Sequence, residues 1–154
     1  MQVRIEAHDL PGRSCGPAPD RPGGHQGIHV GLQRRGRPDD VLGLVPADAA
    51  TASWTAEVSP TARPDGGVDL KGPYVQGPPG GRFLYLSWLA TEADGSRTMF
   101  RRAKLMLDAV PTDVLEQAVA DGVLVGRLGL TDDRGNPRCA AVRPPVITWA
   151  ATPA

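Results

Sequence analysis

Leu124-Val125-Gly126-Arg127-Leu128-Gly129-Leu130-Thr131-Asp132-Asp133-Arg134-Gly135-Asn136-Pro137-Arg138-Cys139-Ala140-Ala141-Val142 sets two apolar-rich arms around a polar centre. Asp, Gly, Asn and Pro supply the backbone angles and local hydrogen bonds that a chain reversal needs. The stretch therefore reads as a β-hairpin. The same pattern of short strand and turn recurs along most of the chain. Gln2 to Leu10 alternates, with Val3, Ile5 and Ala7 on one side and Arg4, Glu6 and His8 on the other, as in a half-buried strand. Ile28 to Gln33 alternates likewise, and Val41 to Val45 and Ala52 to Ser59 read as further strands.

Gly and Pro, 19 and 16 of 154 residues, make nearly a quarter of the chain, which favours many short elements joined by turns. Residues 11–27 hold five Gly and four Pro and almost nothing apolar, and they read as a long flexible loop within a single domain spanning 1–154. Asp65-Gly66-Gly67 reads as a turn and Gly77 to Gly81 as a second Gly/Pro loop. Arg82 to Leu89 is dense in aromatic and aliphatic residues, as in a strand buried on both faces, and Thr98 to Asp108 returns antiparallel.

Pro111 to Asp121 predicts a helix. Pro stands in its first turn, Asp113 and Glu116 suit its positive end, and Gly122 stops it. Val114, Leu115, Ala118 and Val119 form its apolar stripe. Val146 to Ala150, following Pro144-Pro145, reads as an edge strand. Roughly seven or eight short strands and one helix make the fold class mainly β (α+β): an antiparallel β-sandwich or barrel with one helix. Strand order is not legible at this level.

Acidic and basic residues balance at 17 each, which argues against a nucleic-acid partner. No apolar run is long enough to cross a membrane, and Arg4, Glu6, His8, Asp9 and Pro11 interrupt any signal-peptide core, so a cytoplasmic location is expected. His8, His25, His29, Cys15 and Cys139 are the soft metal ligands, and none stands in the tight pairing of a zinc site. No metal and no cofactor are expected. Cys15, beside Arg13, and Cys139, beside Arg138, are the reactive-thiol candidates, although burial as an inert thiol is the simpler reading of Cys139.

Two basic clusters remain, Arg34, Arg35 and Arg37, and Arg101, Arg102 and Lys104. Arg forms forked bonds to carboxylate, phosphate or sulfate, so clusters on one surface make a ligand- or partner-binding site. A solvated surface, or ion pairing with the 17 acids, is the simpler reading. Trp54, Tyr74, Tyr85, Trp88 and Trp149 read mostly as core.

Met99 to Pro111, Gly126 to Asp132 and Cys139 to Pro145, with Gln33-Arg34-Arg35-Gly36 and Gly72-Pro73-Tyr74-Val75-Gln76-Gly77, resemble a family of short bacterial proteins with no assigned function. A looser resemblance is to small accessory subunits of bacterial natural-product pathways, which support a larger catalytic partner. With no catalytic constellation in the sequence and Gly/Pro loops on a β scaffold, the expectation is a non-catalytic accessory or protein-binding subunit, in a hetero- or homo-oligomer, and the reading leans away from enzymatic activity of its own. The alternative is a small-molecule anion-binding protein or enzyme, in which Arg34, Arg35, Arg101 and Arg102 converge on one pocket near Cys15 or His29.

Overall fold

The structure is a computed structural model, and it describes residues 1–8, 27–46, 51–91, 94–129 and 146–151. The reversal at 130–145, most of the 11–27 loop, His25, Cys15 and Cys139 lie outside the described residues.

Two four-stranded sheets form the body. In the first, β1 (Gln2–His8) lies between β4 (Thr51–Glu57) and β9 (Val123–Gly129), and β10 (Val146–Ala150) closes the other edge, in the order β10-β9-β1-β4. In the second, β2 (Gly27–Arg34) and β7 (Phe83–Thr91) are central, flanked by β3 (Arg37–Pro46) and β8 (Arg97–Met106), in the order β3-β2-β7-β8. Every neighbouring pair is antiparallel except β1 with β9, which run parallel. Neither sheet closes on itself, so of sandwich and barrel the fold is the sandwich.

Alternation explains why the sheets stack. Val3, Ile5 and Ala7 of β1 are buried beside Ala56 and Trp54 of β4 and Leu124 and Leu128 of β9. Val30 and Leu32 of β2, Leu84, Leu86 and Trp88 of β7, and Ala103 and Leu105 of β8 are buried on the second sheet. The two sets form one hydrophobic cluster, because each sheet has a single apolar face and water is excluded only when the faces meet. The centre of β7 is buried on both sides, Ser87 and Leu89 included, as its composition predicts.

β10 is an edge strand, as expected, and β9 is the first arm of the expected C-terminal reversal. The partner of that arm is β10, because Val125–Gly129 pairs with Val146–Ala150 on one side and with β1 on the other. Along this strand Gly126 is a requirement of packing. A Cβ there would stand 2.8 Å from both Ile147 Cδ1 and Trp149 Cζ3, and 3.1 Å from Ile5 Cδ1. Gly126→Ala should therefore cost about 1–3 kcal/mol by overpacking, against the small gain that alanine brings to a strand. Urea denaturation checks this, and an unchanged midpoint would show that the Trp149 ring moves aside freely.

His8, Thr51, Gly129 and Val146 lie abreast at one end of the first sheet. The opposite end carries the smaller elements. A two-stranded hairpin, β5 (Ser59–Ala62) with β6 (Val68–Lys71), turns at the expected Asp65-Gly66-Gly67, where the Gly67 N–H donates to Asp65 Oδ1. A 3₁₀ turn (Leu107–Ala109) leads to α1 (Thr112–Asp121), capped by Pro111 and Gly122. The apolar stripe of α1 is narrower than predicted. Ala118 is buried, Val114 and Leu115 are half-buried, and Val119 is 37% exposed. The helix seals one end of the sandwich rather than a whole face, and its fourth apolar position turns past the rim.

Candidate functional site

The outer face of the second sheet holds part of the predicted basic set. Because Leu84, Leu86, Ala103 and Leu105 point into the core, Phe83, Tyr85, Arg102 and Lys104 point away from it. Tyr85 lies opposite Lys104, and Ser87 opposite Arg102. The Phe83 and Tyr85 rings meet edge to face, with centroids 4.8 Å apart. Arg102 Cζ sits 5.0 Å from the Tyr85 ring centre, and Lys104 Nζ 4.6 Å from that of Phe83. Each such contact is worth about 0.5–1 kcal/mol at an exposed site and fixes where the charge stands. Further in, Ser87 Oγ donates to Gln33 Oε1 at 3.3 Å, a buried pair on the same face.

Arg34, Arg35 and Arg37 stand elsewhere, at the β2–β3 turn, and all three are exposed. Arg34 Nη1 reaches Asp40 Oδ2 at 3.5 Å, a loose pair between two well-exposed side chains. The Arg35 backbone N–H donates to the Pro73 carbonyl at 2.8 Å, which ties the turn to the loop before β7. The Arg101 backbone lies opposite Trp88, and His29 is half-buried on β2. Arg102 and Lys104 thus share one face with aromatic support, while Arg34, Arg35 and Arg37 ring a hairpin tip.

Residues that the sequence does not single out form a second feature at the helix end. Arg82 Nε donates to Asp69 Oδ1 at 3.0 Å and Nη2 to Oδ2 at 3.1 Å, and Nη1 donates to the Gly77 carbonyl. Both side chains are largely buried. The Arg82 hydrogen bond holds the Asp69 carboxyl below its ordinary range against the opposing effect of burial, with the charges of Arg82, Lys71 and Arg63 adding to it. Asp69 in turn holds the guanidinium more firmly protonated. The local clue is faint: one acid stands between the apolar Val68 and Leu70.

Beside this pair, a cleft of about 130 Å³ opens between the β5–β6 hairpin and α1. Val68, Leu107 and Leu115 make its apolar floor, with Arg63 on the hairpin side and Asp108 and Glu116 on the helix side. A smaller recess shares Arg63, Asp108 and this floor and reaches Asp69 and Arg82.

Among the described residues, no group of three or more His, Cys, Asp or Glu is placed to hold a metal ion. Among them, no helix is long and apolar enough to cross a membrane. No curated protein and no solved structure matches the chain. One family model does, over residues 1–152, and the chain accordingly belongs to the Family of unknown function (DUF5990).

Proposed function

We propose that the protein is a non-catalytic binding subunit that docks an acidic surface of a larger partner enzyme against β8 and the Phe83–Tyr85 end of the second sheet's outer face. The observation that carries this reading is the charge of β8. That strand holds Arg97, Arg101, Arg102 and Lys104 and no acid, and it lies at a sheet edge. Arg102 and Lys104 rest on aromatic rings rather than on carboxylates. Their charge therefore stays available to a partner, and their position is set before binding. The outer face of the first sheet differs, since Glu6 there approaches both Arg4 and Arg127, at 3.9 and 3.8 Å. The setting we infer is the cytoplasm of a bacterium, beside an enzyme of secondary metabolism, and the resemblance of the sequence supports it. The gathering of both sheets on one core cluster supports a single folding unit.

Native mass spectrometry of the protein isolated from its own host tests the reading. We expect a defined second subunit that is lost with Arg102→Glu/Lys104→Glu and kept with Arg4→Glu, a reversal on the other sheet. Binding should weaken steeply between low and physiological salt. A partner retained equally by both variants, a second copy of this chain in its place, or a bare monomer would each overturn the proposal.

A further inference from the structure

We propose that the cleft between the β5–β6 hairpin and α1 binds a small zwitterion of the amino-acid class, with its carboxylate on Arg63, its ammonium beside Asp108 and Glu116, and an apolar side chain on Val68, Leu107 and Leu115. The cleft begins where β8 ends, at Leu107 and Asp108, but it uses neither Arg102 nor Lys104, and the inference stands apart from the docking proposal.

Size comes first. A volume of about 130 Å³ is several times what one ordered water needs and well below the roughly 300 Å³ where drug-sized sites begin. The ligand is therefore a small molecule, of about ten heavy atoms rather than drug-sized.

Charge comes next. The Asp69–Arg82 pair spends its hydrogen bonds internally and offers a ligand little. The groups left to meet a ligand are Arg63 on one wall and Asp108 and Glu116 on the other. A simple anion would gain Arg63 and face two carboxylates. A simple cation would gain the carboxylates and face Arg63. A molecule carrying both charges a few ångströms apart satisfies both walls.

Arg63 is also prepared for an acceptor. Its guanidinium lies over the hairpin turn, where a Cβ on Gly67 would come within 2.5 Å of Nη2. Its Nε is buried and makes no hydrogen bond. Asp65 Oδ1 stands 3.4 Å from Nε as an ion pair, but that oxygen already accepts from the Gly67 N–H at 2.9 Å. A buried donor without an acceptor is costly, and a ligand carboxylate would remove the cost. No ion pair or hydrogen bond occupies Asp108 or Glu116 among the described residues.

The test is titration of the full-length protein with L-valine, L-leucine, L-methionine and L-phenylalanine, followed by amide NMR shifts at Val68, Leu107 and Leu115. We expect saturable shifts at these positions from at least one of the four below about 10 mM. For that amino acid, the amide lacking the carboxylate and the acid lacking the ammonium should each bind about tenfold or more weakly. Arg63→Gln should weaken the amino acid while leaving its amide analogue unchanged, and Glu116→Gln should do the converse for the deaminated acid. Both positions are at least partly exposed, so the variants should keep the melting temperature of the parent. Absence of saturable shifts with all four, shifts centred elsewhere, or equal binding of the truncated analogues would overturn the proposal.

Discussion

Trp54→Ala should cost about 3–5 kcal/mol, and Trp54→Phe about 1 kcal/mol. Trp54 lies on β4 of the first sheet, is 2% exposed and faces the shared core. Its indole Nε1–H donates across to the second sheet, to the Gly43 carbonyl of β3 at 2.8 Å. That carbonyl is presented by a bulge. Val30 pairs with Val45 and Leu32 with Leu42, so β3 carries one more residue than β2 over this stretch, and Gly43 within it takes φ +62°. A bulge bends its strand and re-aims its groups, and this one turns a carbonyl toward the indole. Truncation to alanine removes one of the two largest fully buried side chains and leaves a cavity. Phenylalanine keeps most of the volume and loses only the donor, and the exposed Gly43 can turn to water instead. Total stabilities of domains this size are about 5–15 kcal/mol, so the alanine variant should lose a large fraction of its folded margin. Urea denaturation of both variants checks the ratio. Equal losses would mean that the hydrogen bond, and not the packing, joins the sheets here.

The parts of this fold legible from sequence are those set by local alternation and local punctuation. Val3, Ile5 and Ala7 declare a buried face because a strand repeats every two residues. Pro111, Asp113 and Gly122 declare a helix because its ends need those groups. The parallel pairing of β1 with β9 left no such mark, since the same alternation fits any neighbour, parallel or antiparallel. β5 and β6 are four residues each and contain Ser59-Pro60-Thr61, which gives no apolar rhythm to read. The candidate sites divide in the same way. Runs such as Arg34-Arg35-Gly36-Arg37 stand out in a sequence because they are contiguous, yet the structure places them on a solvated turn. Arg102 and Lys104 gain their definition from Phe83 and Tyr85, which only the β7–β8 register brings beside them. The helix-end cleft and the recess beside it draw Arg63, Asp69, Arg82, Asp108 and Glu116 from separate elements, and no spacing announces that meeting.

Arg82→Ala should be among the most damaging single changes, at about 3–5 kcal/mol, because it strands a largely buried carboxylate. Asp69→Asn should cost somewhat less, since the amide can still accept one Arg82 hydrogen bond while the guanidinium charge loses its counterpart. The double change Asp69→Leu/Arg82→Met should recover much of the loss, because apolar side chains of similar volume need no partner. Acid separates the charge from the packing. Asp69 holds its proton less readily in the fold than in the unfolded chain, chiefly through the Arg82 hydrogen bond. Its contribution is therefore fully present above the unfolded carboxyl value of about 4. It is lost as pH falls from there through the lower folded value. Wild type and Asp69→Asn should differ most in melting temperature above that point and converge below it. A gap that stays constant from neutral pH into acid would place the stabilisation in shape rather than in charge. A double variant no better than Arg82→Ala alone would show that Asp69 and Arg82 hold the Gly77 loop and β6 together by directed bonds that apolar contact does not replace.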